Sequence, residues 1–261
     1  MSYYEFVPVS STQRTSTSPE SRLKLKNVYS IEFTFEAKTH VHVSSGIKKL
    51  IKKGNRYEIL LQQYRNSSGL PVVPGSSLKG VVSTNFLALC GDAEMTANLF
   101  GASRIKAVIS KVFFSDMCPQ KDDVVEVEVL RQWRPNRRKG RHVKFYVRKP
   151  PRTANYGLLE CIPAGSVLRG KVTAYNLSKF ELGGLLMSMG FGIDGAVFKI
   201  GYGKPQGFGQ MIPVEAKILE VKPDDLKFKK YEVDSQQYIQ VFKSKFDDRI
   251  SKFGKIIFAG V

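Results

Sequence analysis

The chain has 261 residues, of which 42% are hydrophobic, and its 41 Lys and Arg outnumber 23 Asp and Glu to give a formal net charge of +18. This length fits one large domain or two small ones, and the charge favours a polyanionic partner, RNA or DNA above all. Because no apolar run is long enough to cross a membrane and the start lacks an apolar signal core, we expect a cytoplasmic protein without a membrane partner. Cys90, Cys118 and Cys161 form no CxxC pair, which excludes a disulfide framework, and we expect neither a metal nor a cofactor.

The first third of the chain begins with a Ser- and Thr-rich segment, residues 1–24, that predicts a mobile N-terminal arm. Alternation from Tyr29 to Ala37 predicts a strand, which we expect to continue through His40–Val43. Residues 44–66 lack this alternation and contain several Lys and Arg residues but a single acid, Glu58. We therefore interpret them as a basic loop or lid. The cations that we expect to contact nucleic acid there are Lys52, Lys53 and Arg56.

A helix is predicted after Pro74 and Gly75, with an apolar face that includes Leu78 and Phe86. Ser76 or Ser77 can cap it, and Lys79 lies in its first turn. Helix N-termini bind anions through free N–H groups, so we expect Ser76, Ser77 and Lys79 to contact phosphates.

Strands are predicted at Ile105–Phe114 and Val124–Leu130, and a stretch without any acid follows from Val129 to Leu159. A solvated surface normally mixes both signs of charge, whereas aromatic residues among cations can stack on bases. We therefore interpret the stretch as a basic hairpin with its tip near Gly140, although a solvated charge run is the alternative. Its expected nucleic-acid contacts are Arg131, Arg134, Arg137, Arg138, Lys139 and Arg141.

The last third predicts a strand at Val167–Tyr175, a helix capped by Asn176 or Ser178, and a short strand at Ala196–Ile200. A last strand at Met211–Val221 and an amphipathic helix at 235–253 follow. The order of elements predicts an α+β fold with a ferredoxin-like, RRM-like βαββαβ core, in one unit or two halves. Such a fold can offer a sheet face to RNA.

Two glycine-rich segments, Leu70–Gly80 (LPVVPGSSLKG) and Gly201–Gly209 (GYGKPQGFG), each carry a lysine. Glycine lets main-chain N–H groups approach a ligand, and a lysine beside them suits a phosphate. The second segment lacks the Walker A ending and the dinucleotide-binding spacing, which leaves nucleic-acid backbone as the favoured ligand and a tight strand connection as the alternative. The expected contacts in it are Gly201, Gly203, Lys204, Gly207 and Gly209.

These two segments, together with LECIPAGSVLRG at Leu159–Gly170 and the strand end at Phe113–Asp116, resemble the ordered motifs of the RAMP superfamily of CRISPR systems. The resemblance is closest to backbone subunits of type III effector complexes. It implies partners in the form of a guide RNA, a target RNA, other subunits of the complex and copies of this chain in a filament. It also implies a thumb-like hairpin at 131–158 that presses between bases of the guide–target duplex.

Cutting relatives carry an aspartate in the loop before PGSSLKG, and residues 44–69 contain none. We therefore expect a structural RNA-binding subunit without nuclease activity of its own. The alternative is an endoribonuclease of the same superfamily that cuts target RNA or guide precursor, with Glu58, His40 and His42 as weak candidates. A third possibility is a scaffold unrelated to CRISPR, whose helix at 235–253 docks a protein partner. Asp116 is interpreted as a turn residue.

Overall fold

The computed structural model describes residues 3–10, 25–103, 107–130, 140–148, 156–224 and 227–259. Mainly antiparallel sheets and four α-helices are found in these residues, which confirms the α+β class, and the one parallel strand pair there joins β4 to β9. The helices are α1 Gly75–Cys90, α2 Ala93–Phe100, α3 Lys179–Ser188 and α4 Ser235–Ile257. The strands are β1 Tyr4–Pro8, β2 Val28–Ala37, β3 Ser44–Lys53, β4 Arg56–Gln63, β5 Val112–Phe114, β6 Cys118–Pro119, β7 Val125–Leu130, β8 His142–Tyr146, β9 Tyr156–Cys161, β10 Val167–Tyr175, β11 Phe198–Lys199, β12 Gln210–Asp224 and β13 Lys227–Glu232.

The main sheet is antiparallel and runs in the order β11-β12-β2-β10-β5, with β13 beside β12 and β6 beside β10. Helix α1 lies in the connection from β2 to β5, and α3 lies in the connection from β10 to β12. The alternation predicted for β2 is confirmed, since Ile31, Phe33 and Phe35 are buried while Glu32 and Glu36 are exposed. A slip of one residue would expose every one of these apolar side chains, so the register of the sheet is strongly specified.

Helix α1 begins at Gly75, one residue earlier than predicted, and neither Ser76 nor Ser77 caps it. Asp116 takes that role from outside the helix, because its Oδ1 accepts a hydrogen bond of 2.9 Å from the Gly75 N–H. A carboxylate at a helix N-terminus contributes about 0.3–1 kcal/mol. Asp116, predicted as a turn residue, thus fixes the first turn of α1 against the end of β5.

The second sheet runs in the order β3-β4-β9-β7. Its first two strands form a hairpin with its tip at Gly54, so the prediction of a loop or lid over 44–66 was wrong. Most residues of β3 are exposed on both faces, which removes the apolar–polar alternation by which a half-buried strand is recognised. The strand expected to run through His40–Val43 instead ends at Ala37, and only an isolated bridge joins Val41 to Ile162.

The N-terminal segment also differs from its prediction, since β1 pairs antiparallel with β8 from Tyr4↔Tyr146 to Pro8↔His142. Val7 is completely buried in the core. A mobile arm was therefore the wrong expectation for residues 4–8, and residues 11–24 lie outside the described part of the chain. Strand β8, which follows the predicted hairpin tip at Gly140, thus pairs with the N-terminal strand β1.

Helix α4 extends to Ile257, past the predicted end at 253, with a non-helical residue at Phe246. Its ring at Phe242 is fully buried and lies 5.0 Å from the Phe180 ring and 5.7 Å from the Phe86 ring. The apolar stripe of the helix thus packs in the core, which removes the basis for its use as a docking surface. None of the helices in the described residues combines the length and apolar character that a membrane crossing requires.

Candidate functional site

The two glycine-rich segments, distant in sequence, both line one groove of about 450 Å³. Ser77 and Gly80 of α1 contribute to the lining, as do Gly201 and Lys204 of the glycine-rich loop. Side chains from β8, β11 and the end of α4 complete it. The N-terminal half of α1 and the loop after β11 are therefore brought together, as a shared ligand would require.

The glycine-rich loop has a backbone that a side chain would disturb at two positions. Gly201 and Gly209 have φ values of +80° and +71°. A Cβ atom would lie 2.1 Å from the His42 carbonyl oxygen at Gly201 and 1.8 Å from the Ile200 carbonyl oxygen at Gly209. Both positions require glycine because the loop packs against its own chain, a reason that differs from the close approach of a ligand predicted from sequence.

Gly203 and Gly207 bracket a single 3₁₀ turn, Lys204–Gln206, in left-handed conformations. The rings of Tyr202 and Phe208 pack against a small core of the second sheet that includes Leu159 and Cys161. The loop is thus held at both ends, and its position relative to α1 is set by the two sheets.

Two lysines of the groove are partly buried. Lys199 on β11 donates to the Tyr146 carbonyl oxygen, and Lys204 donates to the Gly201 carbonyl oxygen at 2.7 Å. Burial lowers the pKa of Lys199 to about 8 and also lowers the pKa of Lys204. Among the described residues no carboxylate forms a salt bridge with either lysine. An anion that entered the groove would supply the missing opposite charge and raise both pKa values.

Lys144 lines the same groove from β8. Its ammonium nitrogen lies 5.2 Å from the Tyr4 ring centroid and 5.4 Å from the Tyr146 ring centroid. Neither Lys144 nor Lys199 was among the candidates from sequence. Lys199 sits in a two-residue strand outside the glycine-rich motif, and no sequence signal distinguishes it from the other lysines.

Lys79, predicted as a phosphate contact with Ser76 and Ser77, lies outside the lining of the groove. Its ammonium group donates to the Ser110 hydroxyl at 2.8 Å, and burial lowers its pKa. The Ser110 hydroxyl in turn donates to the Val112 carbonyl oxygen at 2.8 Å. Lys79 therefore ties α1 to β5, while Ser77 faces the groove and Ser76 is exposed on the same helix.

The remaining basic candidates lie in two other places. Lys52, Lys53 and Arg56 are exposed at the tip of the β3–β4 hairpin, where the Lys53 ammonium group lies 3.5 Å from a carboxylate oxygen of Glu128. Arg141 is exposed in the turn before β8. The predicted contacts Arg131, Arg134, Arg137, Arg138 and Lys139 lie outside the described residues.

The two histidines among the catalytic candidates each have a ring nitrogen in a hydrogen bond with the main chain. His42 is buried, and its Nδ1 lies 2.7 Å from the Glu160 carbonyl oxygen, while its Nε2 has no partner within the described ranges. Burial lowers the pKa of His42, so the ring is neutral. His40 Nδ1 accepts a hydrogen bond of 3.1 Å from the Ala164 N–H, and Glu58 lies on β4 opposite Ile51. In the part of the chain that is described, no cluster of three or more His, Cys, Asp and Glu side chains could hold a metal ion.

A buried network of polar groups is hydrogen-bonded to the glycine-rich loop. Glu160 accepts 2.9 Å hydrogen bonds from the Gln63 N–H and from the Arg65 guanidinium group. The His42 carbonyl oxygen accepts from the Tyr202 N–H at 2.8 Å, which links this network to the loop. Sequence reasoning missed the network because its members come from four separate segments.

The outer face of the main sheet, which an RRM-like fold would offer to RNA, carries mixed charges. Glu32 lies between Lys171 and Lys217 in the cross-strand register, and Thr34 lies between Arg169 and Glu215. The acids on this face can neutralise the neighbouring cations. The groove therefore suits a polyanion better than the sheet face does.

Residues 34–243 match the model of the RAMP superfamily, a span that covers most of the chain. No curated protein sequence matches the chain at a significant level. The family indicates a CRISPR-associated role in RNA binding, which agrees with the cationic groove.

Proposed function

The chain belongs to the RAMP superfamily, and we propose that it acts in the cytoplasm as an RNA-binding structural subunit of a type III CRISPR effector complex. In this role it holds the guide RNA and shapes the guide–target duplex for antiviral defence. Its partners are the guide RNA, the target RNA, other subunits of the complex and copies of itself in a filament.

One observation carries the proposal: both glycine-rich segments meet at a groove that contains Lys199 and Lys204 without a paired carboxylate from the described residues. A ribose–phosphate strand that lies in the groove brings phosphate oxygens to these ammonium groups. Contacts of this kind hold RNA regardless of its sequence, as a subunit that must accept any guide requires. The Ser77 hydroxyl, which also lines the groove, can supply a further hydrogen-bond donor.

The topology supports the fold that this role implies. We propose that the core is a ferredoxin-like βαββαβ unit, a proposal supported by the strand order β12-β2-β10-β5 and by helices α1 and α3 in the β2–β5 and β10–β12 connections. We propose that the second sheet is an insertion into this unit. Strand β8 pairs with β1 and β9 belongs to the second sheet, so only the rest of residues 131–158 remains as the proposed thumb-like element that contacts the duplex.

The proposal includes no cleavage step by this subunit. A general base needs a free ring nitrogen within reach of a ribose 2′-hydroxyl. His42 Nε2 has no partner among the described residues, but the side chain is completely buried, and His40 Nδ1 already accepts a hydrogen bond from the Ala164 N–H. Together with the absence of an aspartate in residues 44–69, these observations argue against such a step.

Purification of the complex from its native cells tests the proposal. We expect an RNA of defined length to copurify with the wild-type chain and to be lost from the Lys199→Gln/Lys204→Gln variant. The Lys171→Gln/Lys217→Gln variant, which removes the same charge from the outer sheet face, should retain it. A wild-type complex without RNA would refute the proposal. Cleavage of added labelled target RNA that disappears in Glu58→Ala would favour the nuclease alternative.

A further inference from the structure

We propose that the apolar part of the groove is a seat for one nucleobase, turned out of the RNA strand whose phosphates contact the groove lysines. This inference rests on the proposed function and adds to it a defined base-binding site. The phosphates and the base of one nucleotide would then be held by different side chains of the same groove.

The groove is lined by two kinds of side chain. Lys199 and Lys204 provide positive charge. Val81 of α1, Phe145 and Tyr146 of β8, and Ile256 and Ile257 of α4 provide an apolar surface. A ribose–phosphate backbone is polar along its whole length and gains nothing from aliphatic and aromatic side chains. A flat base does, since aromatic side chains are the usual stacking platforms for bases of single-stranded RNA.

The size of the groove fits this ligand. Its volume of about 450 Å³ lies within the range of pockets that hold small molecules, about 300–1,000 Å³. Three separate elements build the apolar surface, and β8 is held in place by its pairing with β1. The seat is therefore formed by the folded chain and not by one mobile loop.

Asn85 adds a polar group to the seat. This residue lines the groove, is 3% exposed, and donates from its Nδ2 to the Ser188 carbonyl oxygen at 3.0 Å. Because a carbonyl oxygen can only accept, the amide nitrogen must face Ser188, and the side-chain oxygen remains as the acceptor for a ligand. Adenine, cytosine and guanine can donate to it from an exocyclic amino group, whereas uracil has only its ring N3–H as a base donor. The geometry points to a preference for amino-bearing bases.

Fluorescence anisotropy with the full-length protein tests the seat. The probes are three labelled RNAs of equal length: oligocytidine, oligouridine, and an abasic strand that keeps the ribose–phosphate backbone. Stacking of one base in the seat should make the wild-type protein bind oligocytidine at least about fivefold more tightly than the abasic strand. Oligouridine should lie between the two.

Two substitutions at Val81 test whether the preference for oligocytidine over the abasic strand arises in this seat. Val81→Phe fills the seat, and we expect it to reduce the affinity for oligocytidine more than the affinity for the abasic strand, so that the ratio of the two affinities falls towards one. Val81→Thr keeps the size of the side chain, so the preference for oligocytidine over the abasic strand should persist. The comparison of RNAs on the wild-type protein stands even if the Phe variant fails to fold.

The possible failures are distinguishable. Equal wild-type affinity for oligocytidine and the abasic strand, or an equal loss of both in Val81→Phe, would overturn the base seat and leave the proposed function intact. A wild-type protein that binds none of the three RNAs would overturn the proposed function and the base seat with it.

Discussion

The groove and the outer face of the main sheet both carry lysines, but the lysines are in opposite electrostatic situations. On the sheet face, Lys171 and Lys217 flank Glu32 and are exposed to solvent. In the groove, Lys199 and Lys204 are partly buried and have lowered pKa values, and each donates to a main-chain carbonyl group. Exposed charge pairs contribute little to stability, whereas a buried cation without an anion is destabilising. The surroundings of each lysine thus identify the binding surface better than the net charge of +18 does.

The largest effect should follow from a side chain on the glycine-rich loop. Gly201→Ala and Gly209→Ala combine left-handed strain with a clash against a main-chain oxygen. We expect each to lower the free energy of unfolding by at least about 3 kcal/mol. Urea unfolding measures this effect.

The matched control is Gly54→Ala at the tip of the β3–β4 hairpin. Gly54 has a φ value of +59°, and a Cβ there would meet nothing within 4 Å. Strain alone should cost about 1 kcal/mol. Equal losses at Gly54 and Gly201 would show that the loop tolerates the displacement and that its packing against His42 is not specific.

The next effect concerns the groove lysine on β11. Lys199→Gln keeps a donor for the Tyr146 carbonyl oxygen and removes the buried charge. We expect it to raise the melting temperature and to weaken RNA binding about tenfold, since hydrogen bonds to charged groups contribute about 1.5–3 kcal/mol. Lys217→Gln on the sheet face should change neither quantity measurably. A Lys199→Gln variant that binds RNA normally would remove this residue from the site.

The pH dependence of binding distinguishes the two regions in another way. Burial places the pKa of Lys199 at about 8 in the free protein, and a bound phosphate raises it. Above pH 8 the protein must take up a proton in order to bind, so RNA affinity should fall between pH 8 and pH 9.5. Titrations of Lys199→Arg should show a weaker dependence, because arginine stays charged throughout this range. An identical pH profile in the two proteins would contradict the assignment.

A smaller effect is expected from His42 on acid stability. Its pKa is lowered in the folded state by burial, so the folded protein binds this proton less readily than the unfolded chain. Stability is then fully present above the unfolded pKa of about 6.5 and is lost as the pH falls below it. His42→Gln should make the midpoint of urea unfolding less sensitive to pH between 6.5 and 4.5. An unchanged slope would mean that other groups govern acid unfolding.

The smallest effect is expected at Gly80, where a Cβ would meet nothing within 4 Å. Alanine in the interior of a helix is more favourable than glycine by about 0.5–1 kcal/mol, so Gly80→Ala should stabilise the protein by that amount. Its methyl group would enter the groove, and RNA affinity should fall severalfold while stability rises. A variant that gains stability and keeps full affinity would place the RNA away from this part of the groove.

Much of the main sheet could be predicted from the sequence because burial on one face imposes a period of two. Strand β10 was predicted with the bounds Val167–Tyr175 that the structure shows, and Ser178 caps α3 with Glu181 as its partner. Both features depend on local patterns within a few residues. The positions of the two glycine-rich segments were likewise visible, because glycine and lysine at close spacing are a local signal.

The rest depends on contacts between distant segments. Strand β1 is five residues long and its partner, β8, follows it by more than a hundred residues, so no local pattern reveals the pair. Most residues of strand β3 are exposed, so this strand lacks a buried face that would impose alternation. Ser77 and Lys204 line the same groove because α1 packs near the glycine-rich loop. In this arrangement Lys79 contacts Ser110 outside the groove, whereas Lys199, which was not predicted, lines it.

The salt dependence of RNA binding tests most directly whether the groove holds the ribose–phosphate strand. For single strands, the slope of log affinity against log salt is about −0.7 for each phosphate contact. Loss of two contacts in Lys199→Gln/Lys204→Gln should therefore make the slope less steep by about 1.4 relative to the wild type, while Lys171→Gln/Lys217→Gln should leave it unchanged. The opposite pattern, a slope altered only by the sheet-face variant, would contradict the account and place the RNA on the sheet.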